Sequence, residues 1–397
     1  MKRSIFYSTA TRIGGGGLSL VAEIASQAIE KHGMMDQLVC FGKEKSSKVL
    51  KINRIFFQPA KFFSFLPSKY YYSMKRYWLD LRASHYLRRS EAKIFHGWTH
   101  ESLQSMRVAK AKGMLIILER GNPHPLFSKN TLDFEYKKYQ KHNFFSIKDK
   151  NPFLRKFNHY RYELDEAIKE IDLADYIFVN SPFCASTYEK FGVHKKKIVI
   201  LPRGFDPKQY FVRPSQKRND KFIVLFVGEM LLRKGIKYIL EAWEKLPHDD
   251  CELWFVGHVS DEVANLVNNY QKKFNNIKCF GKQAEVTTFF QKASVFVFPS
   301  LDEGSAKVTY EAMASGLPCI FTENSGSLAD KNSAIMIPIR SSIAIKNALV
   351  KLKNDVTYRN QLGLNASKAI KKYTWQYYQN SLILTYKKLL KQNRDEF

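Results

Sequence analysis

The sequence of 397 residues lacks the features that identify several classes of protein. Its five cysteines are scattered and form no Cys-x-x-Cys pair, which predicts buried thiols in a reducing cytoplasm and no cysteine metal site. No stretch approaches the roughly 18 apolar residues of a membrane-spanning helix. Residues 8–17 are polar and glycine-rich where a signal peptide would be apolar. We therefore expect a protein that is neither secreted nor membrane-spanning.

Acidic residues are also scarce, because 64 Lys and Arg stand against 37 Asp and Glu, a formal net charge of +27. A charge of this size attracts anions. Nucleic acid, an anionic membrane leaflet and phosphorylated substrates are all candidate partners. The length fits two domains of roughly 150–200 residues each.

Short apolar runs alternate with helical patterns along the chain, and this order predicts doubly wound parallel sheets in an α/β fold. The strongly charged stretch at 213–221 is predicted to be an interdomain linker, after which the alternation restarts. We expect an N-terminal domain over 1–212 and a C-terminal domain over 213–375. A last helix, at about 376–397, is expected to pack back on the first domain.

The stretch at 299–318, PSLDEGSAKVTYEAMASGLP, contains two acids at the carboxyl end of a predicted strand. Glu303 lies in the loop and Glu311 on the helix that follows. Open parallel sheets bind ligands at this edge, where carboxylates suit sugar hydroxyls and helix N-termini suit phosphates. The alternative is that both are surface acids, with Lys307 paired to Glu311 four residues on.

Two other junctions between a strand and a helix have ligand-binding character. The four glycines at 14–17 allow close approach to a ligand, although without a Gly-x-Gly-x-x-Gly pattern a dinucleotide site is disfavoured. Arg233 and Lys234 follow another strand and suit a diphosphate. The alternatives are a flexible turn and a solvated basic face.

These motifs, in this order, resemble the donor half of the GT-B glycosyltransferases, most closely the retaining family 4. The segments concerned are FVGEMLLRKGIKYILEAW, the loop at Gly281, and PSLDEGSAKVTYEAMASGLPCI with its Glu-x7-Glu pattern. Arg203 replaces the usual Asn in a stretch that resembles the family's interdomain loop, and Trp375 resembles the start of the returning C-terminal helix. The resemblance is specific over about 198–329, and it implies two Rossmann-like domains that face each other across a cleft.

The resemblance also implies roles for individual residues. Glu311 would bind the ribose, Arg233 and Lys234 the diphosphate, and Glu303 the sugar as a catalytic-site carboxylate. Further contacts are implied for the backbone of Gly304, Ser305 and Ala306, for Gly15, Gly16 and Gly17 of the other domain, and for the base loop at Lys282. Ser305, Ala306 and Lys307 replace the family's commoner Phe-Gly-Leu, so the donor sugar stays open.

Many members of the family have a histidine after a strand of the first domain, near the reacting centre. Here the strand at 114–118 is followed by Glu119, Arg120 and His124, which are the catalytic candidates. His96, after another strand, is a second candidate. A structural histidine is the alternative for each.

The implied function is retaining transfer of a sugar from a nucleotide-sugar to a hydroxyl of a glycan or lipid-linked acceptor, in polysaccharide or glycolipid biosynthesis of the cell envelope. We expect no cofactor and no metal, because cations and helix N-termini can stabilise a departing diphosphate. The alternatives are a non-catalytic GT-B-like protein that binds membrane or nucleic acid, and a sugar-nucleotide epimerase.

The segment 52–89 interleaves aromatic and basic residues. This composition suits an anionic membrane surface, single-stranded nucleic acid, or an aromatic core under a basic face. We expect a cytoplasmic protein, with peripheral attachment to the inner face of the cell membrane left open and nucleic acid disfavoured.

Overall fold

The computed structural model describes residues 3–43, 53–54, 68–140, 159–212, 221–247 and 250–395. Most of the predicted linker, and the first part of the basic and aromatic segment, lie outside the described residues. The strands are β1 (Ile5–Ser8), β2 (Arg12–Ile13), β3 (Met35–Cys40), β4 (Gly42–Lys43), β5 (Asn53–Arg54), β6 (Ile94–Trp98), β7 (Leu115–Glu119), β8 (Tyr176–Val179), β9 (Ile198–Ile200), β10 (Phe222–Val227), β11 (Cys251–Val256), β12 (Ile277–Cys279), β13 (Val295–Phe298), β14 (Cys319–Thr322) and β15 (Ile335–Ile337).

The helices complete the alternation that the sequence predicts. They are α1 (Leu18–Lys31), α2 (Ser68–Arg88), α3 (Leu103–Ala111), α4 (Pro125–Gln140), α5 (His159–Leu173), α6 (Pro182–Lys190), α7 (Ile236–Glu244), α8 (Asp261–Lys273), α9 (Thr287–Lys292), α10 (Lys307–Ala314), α11 (Ser342–Asn354), α12 (Val356–Ile370) and α13 (Trp375–Asp395). Short 3-10 turns lie at Lys195–Lys197, Leu232–Lys234 and Glu323–Ser325.

Two parallel sheets form the two domains, which confirms the α/β prediction. The N-terminal sheet has the order β5-β3-β1-β6-β7-β8-β9 and the C-terminal sheet has the order β12-β11-β10-β13-β14-β15. All six residues of β10 are buried, as are all six of β11. Strands as apolar as these form a parallel sheet because helices cover both of its faces.

Several helices, among them α2 and α4, are not predicted from the sequence pattern. Both mix aromatic and charged residues without a continuous apolar stripe at helical spacing. The apolar residues of such a helix do not mark one buried face. In α4 the reason is structural, because different parts of the helix pack on different domains.

The chain crosses between the domains at two adjacent places. The backbone N–H of Phe205 donates to the carbonyl of Tyr373 at 3.2 Å, and Trp375 N donates back to Phe205 O at 3.4 Å. A side chain at Gly204 would put its Cβ 2.4 Å from the backbone nitrogen of Trp375, so only glycine allows this approach. After the second crossing, α13 packs against α1 and buries Tyr378 and Tyr386 in the N-terminal core.

Candidate functional site

The carboxyl ends of the two sheets face each other across a cleft. The loop after β7 and the loop after β13 meet there so closely that a Cβ on Gly304 would lie 1.6 Å from the carbonyl oxygen of Gly121. The hydroxyl of Ser181, in the loop after β8, donates to Gly304 O at 2.5 Å, so a second loop of the N-terminal domain also contacts the loop after β13. The loops that follow β7 and β13, which contain the candidates Arg120 and Glu303, therefore meet in one region.

On the C-terminal side, two cations and one acid form a compact cluster. Arg233 Nη1 is 3.1 Å from Glu303 Oε1, and Lys234 Nζ is 3.9 Å from the same oxygen. Arg233 also donates to the backbone oxygen of Asp302 at 2.6 Å. Burial lowers the pKa of Lys234, while Glu303 opposes that shift. With two cations and one carboxylate, the cluster has one net positive charge, which suits an anionic ligand.

The loop that carries Glu303 has less freedom than the sequence indicates. The backbone N–H of Glu303 donates to Asn324 O at 2.9 Å. The backbone N–H of Ala306, a predicted ligand contact, donates to Ser325 O at 3.2 Å. The hydroxyl of Ser305 is 2.7 Å from Tyr310 OH, and Ser305 is buried. The side chain of Ser305 therefore packs inside the C-terminal domain.

Glu311 is only 3% exposed, and its carboxylate is 2.8 Å from Lys307 Nζ. The pairing at i, i+4 that the sequence offered as an alternative is thus present. Glu311 also faces Tyr210, and burial, followed by the charge of Glu311, raises the pKa of that phenol. Any hydroxyl ligand of Glu311 would share the carboxylate with Lys307, which is itself 41% exposed at its side chain.

On the N-terminal side, the loop after β7 separates its candidates. Arg120 is buried and donates to the hydroxyl of Thr99. His124 is 3% exposed, and its ring stacks on Phe191 with centroids 4.7 Å apart. Burial, followed by the positive charge of Arg120, lowers the pKa of His124 to about 4. The imidazole is therefore neutral at physiological pH.

Glu119 and His96 lie together, but they are buried beneath α13. His96 Nε2 is 3.2 Å from Glu119 Oε2, and His96 Nδ1 is 2.5 Å from the hydroxyl of Tyr386. His96 is fully buried and Glu119 is 2% exposed. Both side chains are thus enclosed in the N-terminal core. The prediction that each follows a strand is wrong, because His96 lies in the middle of β6 and Glu119 is the last residue of β7.

The glycine loop has open space around it. A Cβ on Gly16 or Gly17 would meet no heavy atom within 4 Å, whereas one on Gly15 would lie 3.2 Å from Ser19 Cβ. Gly17 precedes α1 with a φ of 61°, a conformation that favours glycine. The loop is exposed at the carboxyl edge of the N-terminal sheet. The base-loop candidate, Lys282, is also exposed, after β12 of the other sheet.

A buried acid holds the start of the glycine loop. Glu101 Oε1 accepts a hydrogen bond from the backbone N–H of Ala10 at 2.7 Å. Burial raises the pKa of Glu101 from its ordinary value of 4.5 to about 7, although that hydrogen bond and the charge of Arg76 oppose the shift. Sequence reasoning did not single out Glu101, because nothing local marks it as a partner of a loop 91 residues away.

We expect the wild type to lose unfolding free energy relative to the Glu101→Gln variant as the pH rises. Between its ordinary pKa of 4.5 and the folded value of about 7, the folded state binds a proton that the unfolded chain has released. The wild type therefore loses unfolding free energy through this window, roughly 3 kcal/mol for such a shift, and glutamine does not titrate. Denaturant unfolding of both proteins at about pH 5 and about pH 8 measures the difference. Parallel pH profiles would contradict the prediction.

Arg203 is a further cation at the cleft that the sequence did not assign to the site. With its amide oxygen turned towards Arg203, Asn180 accepts from Nε and Nη2, each at 3.0 Å. The same guanidinium leaves no room for a side chain at Gly121, because a Cβ there would lie 2.4 Å from Nη2. The replacement of the family's Asn thus brings a guanidinium to the loop that contacts Gly304.

Across the described ranges of the chain, two absences bear on metal ions and on membranes. No three His, Cys, Asp or Glu side chains in those ranges are grouped so that they could hold a metal ion. None of the helices there combines the length and the apolar character needed to cross a bilayer.

Comparisons with known proteins point to one family. The family model Glycosyl transferases group 1 matches residues 221–355. An uncharacterized glycosyltransferase of Methanocaldococcus jannaschii is 25% identical over 54% of this chain and 61% of its own. The capsular polysaccharide biosynthesis glycosyltransferase CapM of Staphylococcus aureus is 25% identical over 44% of this chain and 48% of its own. The chain thus spans about half the length of the curated relatives it matches.

Solved structures extend the likeness to the whole chain. Sucrose-phosphate synthase from Thermosynechococcus elongatus has a TM-score of 0.71 at 17% identity. The match covers 98% of this chain and 99% of the synthase chain. Anabaena HepE in complex with UDP-glucose has a TM-score of 0.67 at 12% identity, over 97% and 99%. These matches confirm the GT-B fold that the sequence predicts.

Proposed function

Because residues 221–355 match the family model Glycosyl transferases group 1 and the chain has the GT-B fold, we propose that this protein transfers a sugar from a nucleotide-sugar to a glycan or lipid-linked acceptor. The observation that carries the proposal is the cluster of Arg233, Lys234 and Glu303, which faces the loop after β7 across the cleft. The relative in capsule biosynthesis and the neighbour solved with UDP-glucose support this donor and acceptor class.

In this proposal the two cations bind the diphosphate of the donor. A diphosphate replaces Glu303 as the partner of Arg233, and the released carboxylate can then accept hydrogen bonds from sugar hydroxyls. Glu311 binds the ribose after Lys307 shifts aside. The backbone of Gly304 to Ala306, the loop at Lys282 and the glycines Gly15, Gly16 and Gly17 complete the donor site.

The chemistry follows from where negative charge develops. As the sugar–phosphate bond breaks, charge grows on the departing diphosphate, and Arg233 and Lys234 are already in place to stabilise it. Attack of the acceptor hydroxyl on the same face, with a diphosphate oxygen taking its proton, retains the anomeric configuration. We assign no proton-transfer step to His124, because its imidazole is buried against Phe191 and a pKa of about 4 makes it a weak base.

The reaction is proposed to be independent of metal ions, because two positive side chains already face the diphosphate. We expect sugar transfer by the purified enzyme to continue at an unchanged rate in excess EDTA. The assay is donor turnover with and without the chelator, followed by re-addition of Mg²⁺ or Mn²⁺. Loss of turnover in EDTA that returns with either ion would show that the proposal is wrong.

Neither alternative from the sequence, an epimerase or a non-catalytic binding protein, has support from the two curated relatives described above, which are both named as glycosyltransferases. The test begins with nucleotide-sugars screened for thermal stabilisation, since a ligand of the native state raises the unfolding temperature. Product analysis with and without acceptor then follows. A glycosylated acceptor supports transfer, an isomerised donor identifies an epimerase, and an unchanged donor indicates a binding protein.

We also propose that the protein works in the cytoplasm and attaches peripherally to the inner face of the membrane. In the described part of the basic and aromatic segment, α2 exposes Tyr72 (57%) and Tyr77 (45%), and Lys75 lies 4.5 Å from the ring centroid of Phe41. Exposed aromatic rings beside cations suit an anionic lipid surface, where each cation contributes about 1 kcal/mol.

We expect the protein to float with vesicles that contain anionic lipid and to remain behind with neutral vesicles. The Tyr72→Ser/Tyr77→Ser variant should show a weaker association, because it loses the two exposed rings. Equal recovery with neutral and anionic vesicles would contradict the membrane proposal and would leave the proposed sugar transfer unaffected.

A further inference from the structure

Helix α4 begins in the N-terminal domain, but its later turns lie on the C-terminal domain. Near its start, the rings of Phe127 and of Phe183 on α6 are 5.5 Å apart. Farther along, Leu132 and Tyr136 are buried in the hydrophobic core of the C-terminal domain. One helix therefore joins the two domains beside the cleft, immediately after the loop that ends at His124.

Buried polar contacts fix α4 on the C-terminal domain. Glu135 is fully buried and accepts hydrogen bonds from the hydroxyl of Tyr238 at 2.8 Å and 3.0 Å. Arg340 Nε donates to Glu135 at 2.9 Å, and Arg340 Nη2 donates to the carbonyl of Thr131 at 2.8 Å. Removal of one partner of a buried ion pair leaves an uncompensated charge. The position of α4 is therefore closely defined.

One route of contacts runs from α4 to the turn that carries the cations. The hydroxyl of Tyr136 donates to the carboxylate of Glu262, at the start of α8. The other oxygen of Glu262 accepts from the backbone N–H of Leu232 at 2.7 Å. Leu232 is the first residue of the turn that presents Arg233 and Lys234.

A second route runs from α4 to the loop with the acid. The hydroxyl of Ser128 donates to Asp302 Oδ1 at 2.9 Å. Asp302 precedes Glu303, and its backbone oxygen accepts from Arg233 at 2.6 Å. One helix of the N-terminal domain thus contacts both segments of the C-terminal domain that form the cluster of Arg233, Lys234 and Glu303.

We propose that Tyr136, acting through Glu262, and Ser128, acting through Asp302, are positioning residues for diphosphate binding. This inference rests on the proposed function, because it concerns the same cations. While α4 is docked, the turn and the loop are held with both cations directed to one acid. Because α4 begins in the N-terminal domain and is fixed on the C-terminal domain, its contacts link the geometry of the donor site to the position of the N-terminal domain.

The test uses the full-length protein with Tyr136→Phe, which removes one hydroxyl and keeps the buried ring. Tyr270→Phe is a matched control, because the hydroxyl of Tyr270 donates to Glu244 at 3.0 Å on an exposed surface of the same domain. The probes are UDP, GDP, ADP, CDP and dTDP in calorimetry, far below the unfolding temperature. Hydrogen exchange of the Leu232 amide, without nucleotide, is measured in parallel.

We expect Tyr136→Phe to weaken binding of the preferred diphosphate about 10-fold, the effect of one hydrogen bond to a charged group, and to speed exchange at Leu232. Ser128→Ala should weaken binding in the same direction, and Tyr270→Phe should change neither quantity. Unchanged affinity and unchanged exchange in Tyr136→Phe would overturn the inference. If the wild type binds none of the five diphosphates, the proposed function fails, and exchange at Leu232 still decides the positioning role: faster exchange supports it and unchanged exchange overturns it.

Discussion

Substitution of Gly304 by alanine should abolish most of the activity, because the new methyl group cannot coexist with the contact between the domains. Its Cβ would lie 1.6 Å from the carbonyl oxygen of Gly121 and 2.5 Å from the carbonyl carbon. Both are backbone atoms, so no side chain can rotate away to make room. The loop after β7 and the loop after β13 must then separate by more than 1 Å.

We expect kcat to fall by about 100-fold or more, since a misplacement of about 1 Å between reacting groups can have that effect. Small-angle scattering should report a larger radius of gyration, while the unfolding temperature of each domain changes little. Gly192→Ala is the control, because Gly192 has a φ of 87° but no heavy atom within 4 Å of its Cβ. It should show only the strain of the backbone conformation. Activity within a factor of three of the wild type in Gly304→Ala would mean that the working enzyme does not use this contact.

The second large effect is expected for Arg233→Ala. Arg233 is the cation nearest to Glu303, and it also ties the turn to the loop through the backbone oxygen of Asp302. Loss of hydrogen bonds between a charged donor and a diphosphate costs about 1.5–3 kcal/mol, which corresponds to about 10-fold to 100-fold in affinity. Because the same charge stabilises the leaving group, kcat should also fall about 100-fold.

Arg359→Ala is the matched control for that variant. Arg359 lies on α12 of the same domain, and its Nη1 donates to the carbonyl of Leu352 at 3.0 Å, so both arginines bond to a backbone oxygen. The control should change stability but not the diphosphate affinity measured by calorimetry. If Arg233→Ala binds the diphosphate as tightly as Arg359→Ala does, the diphosphate site has been assigned to the wrong residues.

The sequence was informative wherever function depends on residues that are neighbours in the chain. Arg233 and Lys234 follow one strand, and Glu303 and Glu311 follow another, so their place at the carboxyl edge could be predicted from a strand followed by a loop and a helix. The pairing of Lys307 with Glu311 was also predictable, because residues four apart on a helix are neighbours. Each of these inferences needs only local periodicity.

The candidates in the N-terminal domain were harder to assign for the opposite reason. Glu119, Arg120 and His124 lie within six residues of one another, yet Glu119 is buried under α13, Arg120 donates to Thr99, and His124 packs on Phe191. Whether a side chain at a strand end reaches the cleft depends on what covers it. For Glu119 the covering helix comes more than 250 residues later in the chain.

Local sequence thus determined the α/β alternation, the strands that end in charged loops, and the chemistry of one wall of the cleft. Only the tertiary structure decided that Gly304 touches Gly121, that Arg203 reaches Asn180, and that α4 bridges the domains through Glu135 and Tyr136. The physical reason is the separation of the interacting residues along the chain. Periodicity and turn chemistry are set by residues a few positions apart, whereas these contacts join residues between 23 and 183 positions apart and depend on how whole elements pack.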